Sequence, residues 1–327
     1  MDQVKCISIS AITLSLTSDI NMKREKRTRW IFFSIFYPES QWHELLKNTV
    51  IPFFKEHQHS CVNCIIHFGN NKGSYIGFSL EVSLEKCKAF VSFFYTSFYT
   101  FLQIHTGSEV KPVTIAEEPE SVFMNFPVNS ICHSLHKFPI RKDRMTYTYI
   151  NTWHQSTIVL LRIFGTDPFD KEDLFTAALY LNLSLLLSFK EGSALYFKRD
   201  IVYSGNDSAD SLYIEKFNET LPVLIEILED CYTIVEGTER DDLKPISEWH
   251  HLFKMLVHET SQDAKEQAEL IKDVLAGVRQ QLGVAGEGKS LIDFFVKQLF
   301  YTRNQSHENS IDVNSILKTT SELSPIL

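Results

Sequence analysis

Trp30 to Phe54 reads WIFFSIFYPESQWHELLKNTVIPFF, and this stretch decides the fold class. Trp30 to Tyr37 is apolar and aromatic apart from Ser34, the pattern of a buried strand. Pro38 to Ser40 breaks it. From Gln41 to Lys55 the period changes: Trp42, Leu45, Leu46, Val50 and Phe53 fall on one side of a helix, which Pro52 is expected to end. A strand followed at once by an amphipathic helix predicts a mixed architecture.

Working outward, Cys64 to Phe68 and Tyr75 to Val82 read as strands. Asn70-Asn71-Lys72-Gly73 between them is a turn, so the two predict a hairpin. Ser83 to Thr100 reads as a second helix with Ser83 as its cap. Residues 106 to 127 hold Gly107, Pro112, Pro119 and Pro127 and have no sustained period, with one short strand expected at Lys111 to Ile115. Beyond this the pattern is helical: Tyr147 to Phe164, Lys171 to Phe189, Glu215 to Val235, Ile246 to Glu259, Ser261 to Leu282 and Ser290 to Tyr301. The expected fold class is α+β, with a small mixed or antiparallel sheet and helices in the N-terminal part and a helical C-terminal region. The expected divisions are 1–28, an N-terminal strand and basic linker; 29–140, an α+β subdomain; and 141–327, a mainly helical subdomain sharing one core with it.

The chain has 327 residues, enough for one large domain or two medium ones, and its 25 Phe predict an aromatic core. A formal charge of −9 argues against wrapping a nucleic-acid backbone, which needs a concentrated basic face. No run reaches the roughly 18 to 20 apolar residues needed to cross a bilayer. The basic cluster Lys23 to Arg29 follows the mildly apolar start, the reverse of a secretory signal, and reads as a solvated linker that could dock an acidic partner. The six widely spaced cysteines form no disulfide framework, so a reducing, cytoplasmic compartment is expected. Acidic balance and abundant Phe permit a homodimer without requiring one.

Motifs for common chemistries are weak. Cys61-Val62-Asn63-Cys64 is a lone C-x-x-C; a structural zinc site needs a second pair, for which Cys132-His133 is conceivable but unsupported by spacing, and no metal or cofactor is expected. His250, His251 and His258 are not spaced as ligand pairs and read as partly exposed helix histidines. Gly283 to Lys289 lacks the spacing of a phosphate loop.

The chain resembles one family, the small C-terminal (glutamate-elimination) domain of lantibiotic dehydratases, which also occurs as free-standing proteins of thiopeptide-type bacteriocin biosynthesis. The resemblance runs from about Arg29 to Glu308 through framework residues. In the family the second hairpin strand typically reads G-x-H-I-R-L-R-F. Here Gly73 to Leu80 keeps the apolar Ile76, Phe78 and Leu80, but Tyr75 stands at the His and Gly77 and Ser79 stand at the two arginines. The last helix resembles S-x-I-H-M-x-x-N-R-x-F through Ser290, Ile292, Leu299 and Phe300, with Asp293, Lys297 and Gln298 at the His, Asn and Arg.

The resemblance implies maturation of a ribosomally made peptide. Family members remove glutamate from glutamylated Ser or Thr, which needs a base and cations for the departing carboxylate. A Gly and a Ser in place of two arginines impair that reaction. Two readings stay open. One is an elimination-like or cyclase-like lyase on a glutamylated or dehydrated precursor, with Tyr75, Asp293 and Lys297 as catalytic candidates and His67, Gly77, Ser79 and Gln298 lining the site. The other is a non-catalytic protein that binds the leader peptide or a larger dehydratase or glutamylating protein.

Overall fold

A computed structural model gives the architecture. It describes residues 28–57, 59–105, 113–115, 126–133, 138, 146–165, 167–189, 192–194, 196–197, 207–238, 240–261 and 263–306. The expected N-terminal strand and the basic linker up to residue 27 lie outside the described residues.

Among the described residues five strands form one sheet: β1 (Thr28–Phe36), β2 (Cys61–Gly69), β3 (Tyr75–Ser83), β4 (Val113–Ile115) and β5 (Ser130–His133), in the order β2-β3-β1-β5-β4. All neighbours are antiparallel except β4 and β5, so the sheet is mixed. The hairpin turns through Lys72 and Gly73, both at positive φ (60° and 116°), which a glycine adopts without steric cost. Its register sets His67 opposite Gly77 and Ile65 opposite Ser79. β1 then lies on the other side of β3, with Ser34 opposite Gly77.

One face of the sheet carries Phe33, Ile35, Ile66, Phe68, Ile76, Phe78 and Leu80, all buried. Helix α2 (Cys87–His105) covers it with Phe90, Phe94, Phe98 and Phe101, spaced three and four apart along one helical side. Phe94 stacks on Phe33 and on Phe98 with ring centroids 4.1 Å apart in each case, and Phe78 meets Phe94 edge-on at 5.3 Å. The expected cap Ser83 ends β3 instead. A turn follows, Lys86 N–H donating to the Ser83 carbonyl, and the helix starts at Cys87.

The helix after β1, here α1, is composite. A 3-10 turn (Glu39–Gln41) leads to an α turn (Trp42–Leu45), a π turn (Leu46–Val50) and an α-helix (Ile51–His57). It therefore runs past Pro52. Proline gives no N–H to the carbonyl four residues back and its ring crowds that carbonyl; the wider π turn just before Pro52 accommodates both.

The helical part comprises α3 (Tyr147–Phe164), α4 (Lys171–Ser188), α5 (Asp207–Glu236), α6 (Lys244–Thr260), α7 (Ala264–Gln281) and α8 (Glu287–Ser306). Helix α4 opens on a reciprocal cap between Asp170 and Asp173 and is buried on nearly all sides, as expected of a central helix. It packs against α5, α6, α7 and α8. Helix α3 lies along the outer edge of β2. There Cys64 N–H donates to His154 Nδ1 and Ile66 N–H to Thr157 Oγ1, both at 3.1 Å, so these two outward donors of the edge strand are satisfied. Thr157 belongs to a buried polar cluster. Trp249 Nε1 donates to Ser156 Oγ, Ser156 Oγ to Gln281 Oε1, and Gln281 Nε2 to Thr157 Oγ1. Strand, α3, α6 and α7 are thereby tied together inside the protein. One contiguous cluster of buried apolar side chains includes residues from Ile31 to Leu299.

Candidate functional site

The other face of the hairpin presents Tyr75, Gly77 and Ser79 on β3 and His67 on β2, since alternate residues share a face. The structure brings these four together. The His67 ring lies over Gly77, where an added Cβ would stand 2.2 Å from its Cε1. Any larger residue at 77 must therefore displace the imidazole. Ser79 Oγ accepts the N–H of Phe138 at 3.0 Å and pins that residue over the strand. Phe138 in turn meets His67 at 6.0 Å between centroids and Trp153 at 4.9 Å. Gly277 of α7 closes the stack, with the Trp153 ring so near that a Cβ there would stand 2.4 Å from Cζ2.

Tyr75 is buried, meets His67 edge-on at 5.8 Å, and lies over Gly69. Burial pushes its phenol up to about 12, so at neutral pH it is a hydroxyl and not a phenolate base. Gly77 and Ser79 thus serve packing here: one makes room for a ring and the other holds a backbone N–H.

The remaining candidates sit on α8. Asp293, Lys297 and Gln298 are half-buried, and Asp293 and Lys297 are one turn apart on the same side. Helix α8 packs on α4 and α5, with Phe295 at 5.6 Å from Phe217 and 6.3 Å from Phe175. Asp293 forms an ion pair with Arg279 of α7. The hairpin group meets Phe138 and Trp153, and the α8 group meets α4, α5 and Arg279.

Arg279 escaped the sequence reading. It is 5% exposed. Its signal was its place on the apolar side of α7, four residues after Leu275 and three before Leu282, where a charge needs a partner.

Histidines and cysteines take structural places. His250 is buried, unlike its expected exposure, and its Nε2 lies 2.6 Å from Ser188 Oγ at the end of α4. His251 and His258 are exposed. Burial raises the thiols of both Cys61 and Cys64, so at neutral pH both are protonated. Among the described residues no cluster of three or more His, Cys, Asp or Glu could hold a metal ion, and no helix is long and apolar enough to cross a membrane. A groove of about 300 Å³ opens between α1 and α2, lined by Asn48, Thr49 and Pro52 on one wall and Phe101, Ile104 and His105 on the other.

No family model and no curated protein matches the sequence. Solved structures do match. A sheet and helical region in this arrangement define a fold shared with proteins of known structure over nearly their whole length. One is the pyridine synthase TbtD from thiomuracin biosynthesis, 13% identical, covering 83% of this chain and 97% of its own, with a TM-score of 0.56. Another is TsrL, 9% identical, covering 90% of this chain and 99% of its own, with a TM-score of 0.55. The tRNA-dependent lantibiotic dehydratase MibB from Microbispora sp. 107891 gives 10% identity, 86% and 28% coverage, and a TM-score of 0.49.

Proposed function

We propose that this chain takes part in the maturation of a ribosomally made peptide, binding a precursor peptide on its shared scaffold without eliminating glutamate. The observation that carries this reading is the filled hairpin face. His67 occupies the space over Gly77, and Ser79 is spent on the Phe138 N–H. A departing glutamate needs cations placed to receive its carboxylate. These two positions supply none, and Tyr75 is held neutral beside them. The fold supports the pathway, since it extends over 97% of a pyridine synthase.

That coverage favours one second reading, cyclisation of a dehydrated precursor, a reaction that leans on positioning more than on a strong base. Cys61, Cys64, Cys87, Cys132 and Cys231 are free thiols, which suits the reducing compartment where such a peptide would be met.

The test is to incubate the purified chain with a thiopeptide- or lantibiotic-type precursor peptide, in glutamylated and in dehydrated form, and to read binding by calorimetry and products by mass. Binding with no loss of glutamate supports the proposal. A glutamate-sized mass loss overturns it. A product that has shed its leader from the dehydrated peptide establishes the cyclase reading, and failure to bind either form rejects both.

A further inference from the structure

Arg279 and Asp293 form an unequal pair. The Arg279 side chain is 7% exposed and the Asp293 side chain 27%. The cation therefore lies inside, between α7 and α8, and the carboxylate stands on the solvent side of it. Nη1 of Arg279 is taken by Asp293, whereas the buried Nε has no hydrogen-bond acceptor among the described residues. A buried guanidinium with an unspent N–H is costly. An ion pair serving only to join two helices would be expected to satisfy that edge, since the Nε side of the fork is one of the two that grip a carboxylate with paired hydrogen bonds.

We propose that Arg279 is a carboxylate-binding residue and that Asp293 is an internal stand-in holding its seat closed. The ligand class is the carboxylate of an acidic peptide. A carboxylate arriving from solvent meets Asp293 first, displaces it outward, and gains the guanidinium together with the Nε donor that Asp293 leaves unused. This inference rests on the peptide-binding reading only for the source of the carboxylate; the seat itself is defined by the two side chains. Asp293 thereby sets the affinity: an internal competitor weakens binding of any external carboxylate by the free energy of its own contact.

The test uses the full chain and pentaglutamate as probe, with pentaglutamine as the uncharged control. In Asp293→Asn the seat is vacated by charge while its shape is kept. Binding of pentaglutamate is expected to tighten at least tenfold over the unaltered chain, and the gain is expected to vanish when Arg279→Gln is added. Asp241→Asn, which removes an exposed negative charge elsewhere, is expected to leave affinity unchanged. A second readout is the melting temperature of Asp293→Ala, expected to rise with added formate and not with chloride at equal ionic strength. If Asp293→Ala does not fold, Asp293→Asn carries the test alone. Equal affinity in Asp293→Asn and the unaltered chain overturns the inference, as does a gain that survives Arg279→Gln. Loss of the pentaglutamate response with precursor binding intact rejects the seat alone. The reverse result rejects the proposed function and leaves the seat standing.

Discussion

The imidazole of His67 and the bare α-carbon of Gly77 are partners across the hairpin: a Cβ at 77 would stand 2.2 Å from Cε1 and 2.3 Å from Nε2 of the ring. This fit accounts for a glycine in the middle of a buried strand, where glycine otherwise weakens pairing.

Gly77→Ala is expected to destabilise the chain by about 1–3 kcal/mol, the usual cost of forcing atoms into a filled core. In the double variant His67→Ala/Gly77→Ala the penalties are expected not to add, because the clash disappears with the ring. Urea unfolding of the four forms measures the coupling. Additive penalties would show that the ring and the glycine act independently.

Ser79→Ala removes the acceptor for the Phe138 N–H. Leaving that buried donor unpaired is expected to cost about 1–3 kcal/mol. Amide exchange at Phe138 is expected to accelerate in parallel, which separates a lost anchor from a general loss of stability. Unchanged exchange at that amide would contradict the anchoring role.

His250 predicts a loss of stability in acid. Burial first, then Lys254 and His251, lower its pKa from 6.5 to about 4. The unfolded chain therefore binds more protons than the folded one between these values. The contribution is fully present above pH 6.5, falls as the pH drops, and is lost by about pH 4. Its size is about 3 kcal/mol at roughly 1.4 kcal/mol per unit. Burial of His154 acts in the same direction. Unfolding midpoints of His250→Gln between pH 7 and 4 are expected to give a shallower slope than the unaltered chain; identical slopes would remove His250 as the cause.

Tyr37 and Tyr75 predict the mirror effect in alkali. Burial raises both phenols from 10 to about 12. The stability tied to them is intact below pH 10 and lost as the pH rises toward 12. Phenolate absorbance is expected to show late-titrating tyrosines that disappear one by one in Tyr37→Phe and Tyr75→Phe.

Much of this was legible in the chain. Trp30 to Tyr37 with Gln41 to Lys55 announced strand and helix, and Asn70 to Gly73 announced the turn from which the His67 and Gly77 pairing follows by counting. What was not legible has local causes. Ser130–His133 is a strand of four residues, too short for a period to show. Helix α5 begins at Asp207 and not near Glu215, because its opening Asp-Ser-Ala-Asp-Ser has the composition of a loop. The π turn before Pro52 is a response to crowding that no propensity records. The site was harder still. Gly77 and Ser79 read as lost arginines, but only the packing shows what fills the space, and Arg279 meets Asp293 only because α8 folds back beside the end of α7, a tertiary contact that no spacing records.

The seal of β2 by α3 bears on how the polypeptide can be divided. Phe68 touches Trp42 from the sheet side and Phe164 and Phe169 from the helical side, while Ile66 leans on the Thr157 hydroxyl. Severing the chain between them would create two adhesive fragments, each with a raw wall that only the other matches. Co-expressed as separate pieces, they should find one another and rebuild the whole, which makes this scaffold a natural candidate for a split reporter.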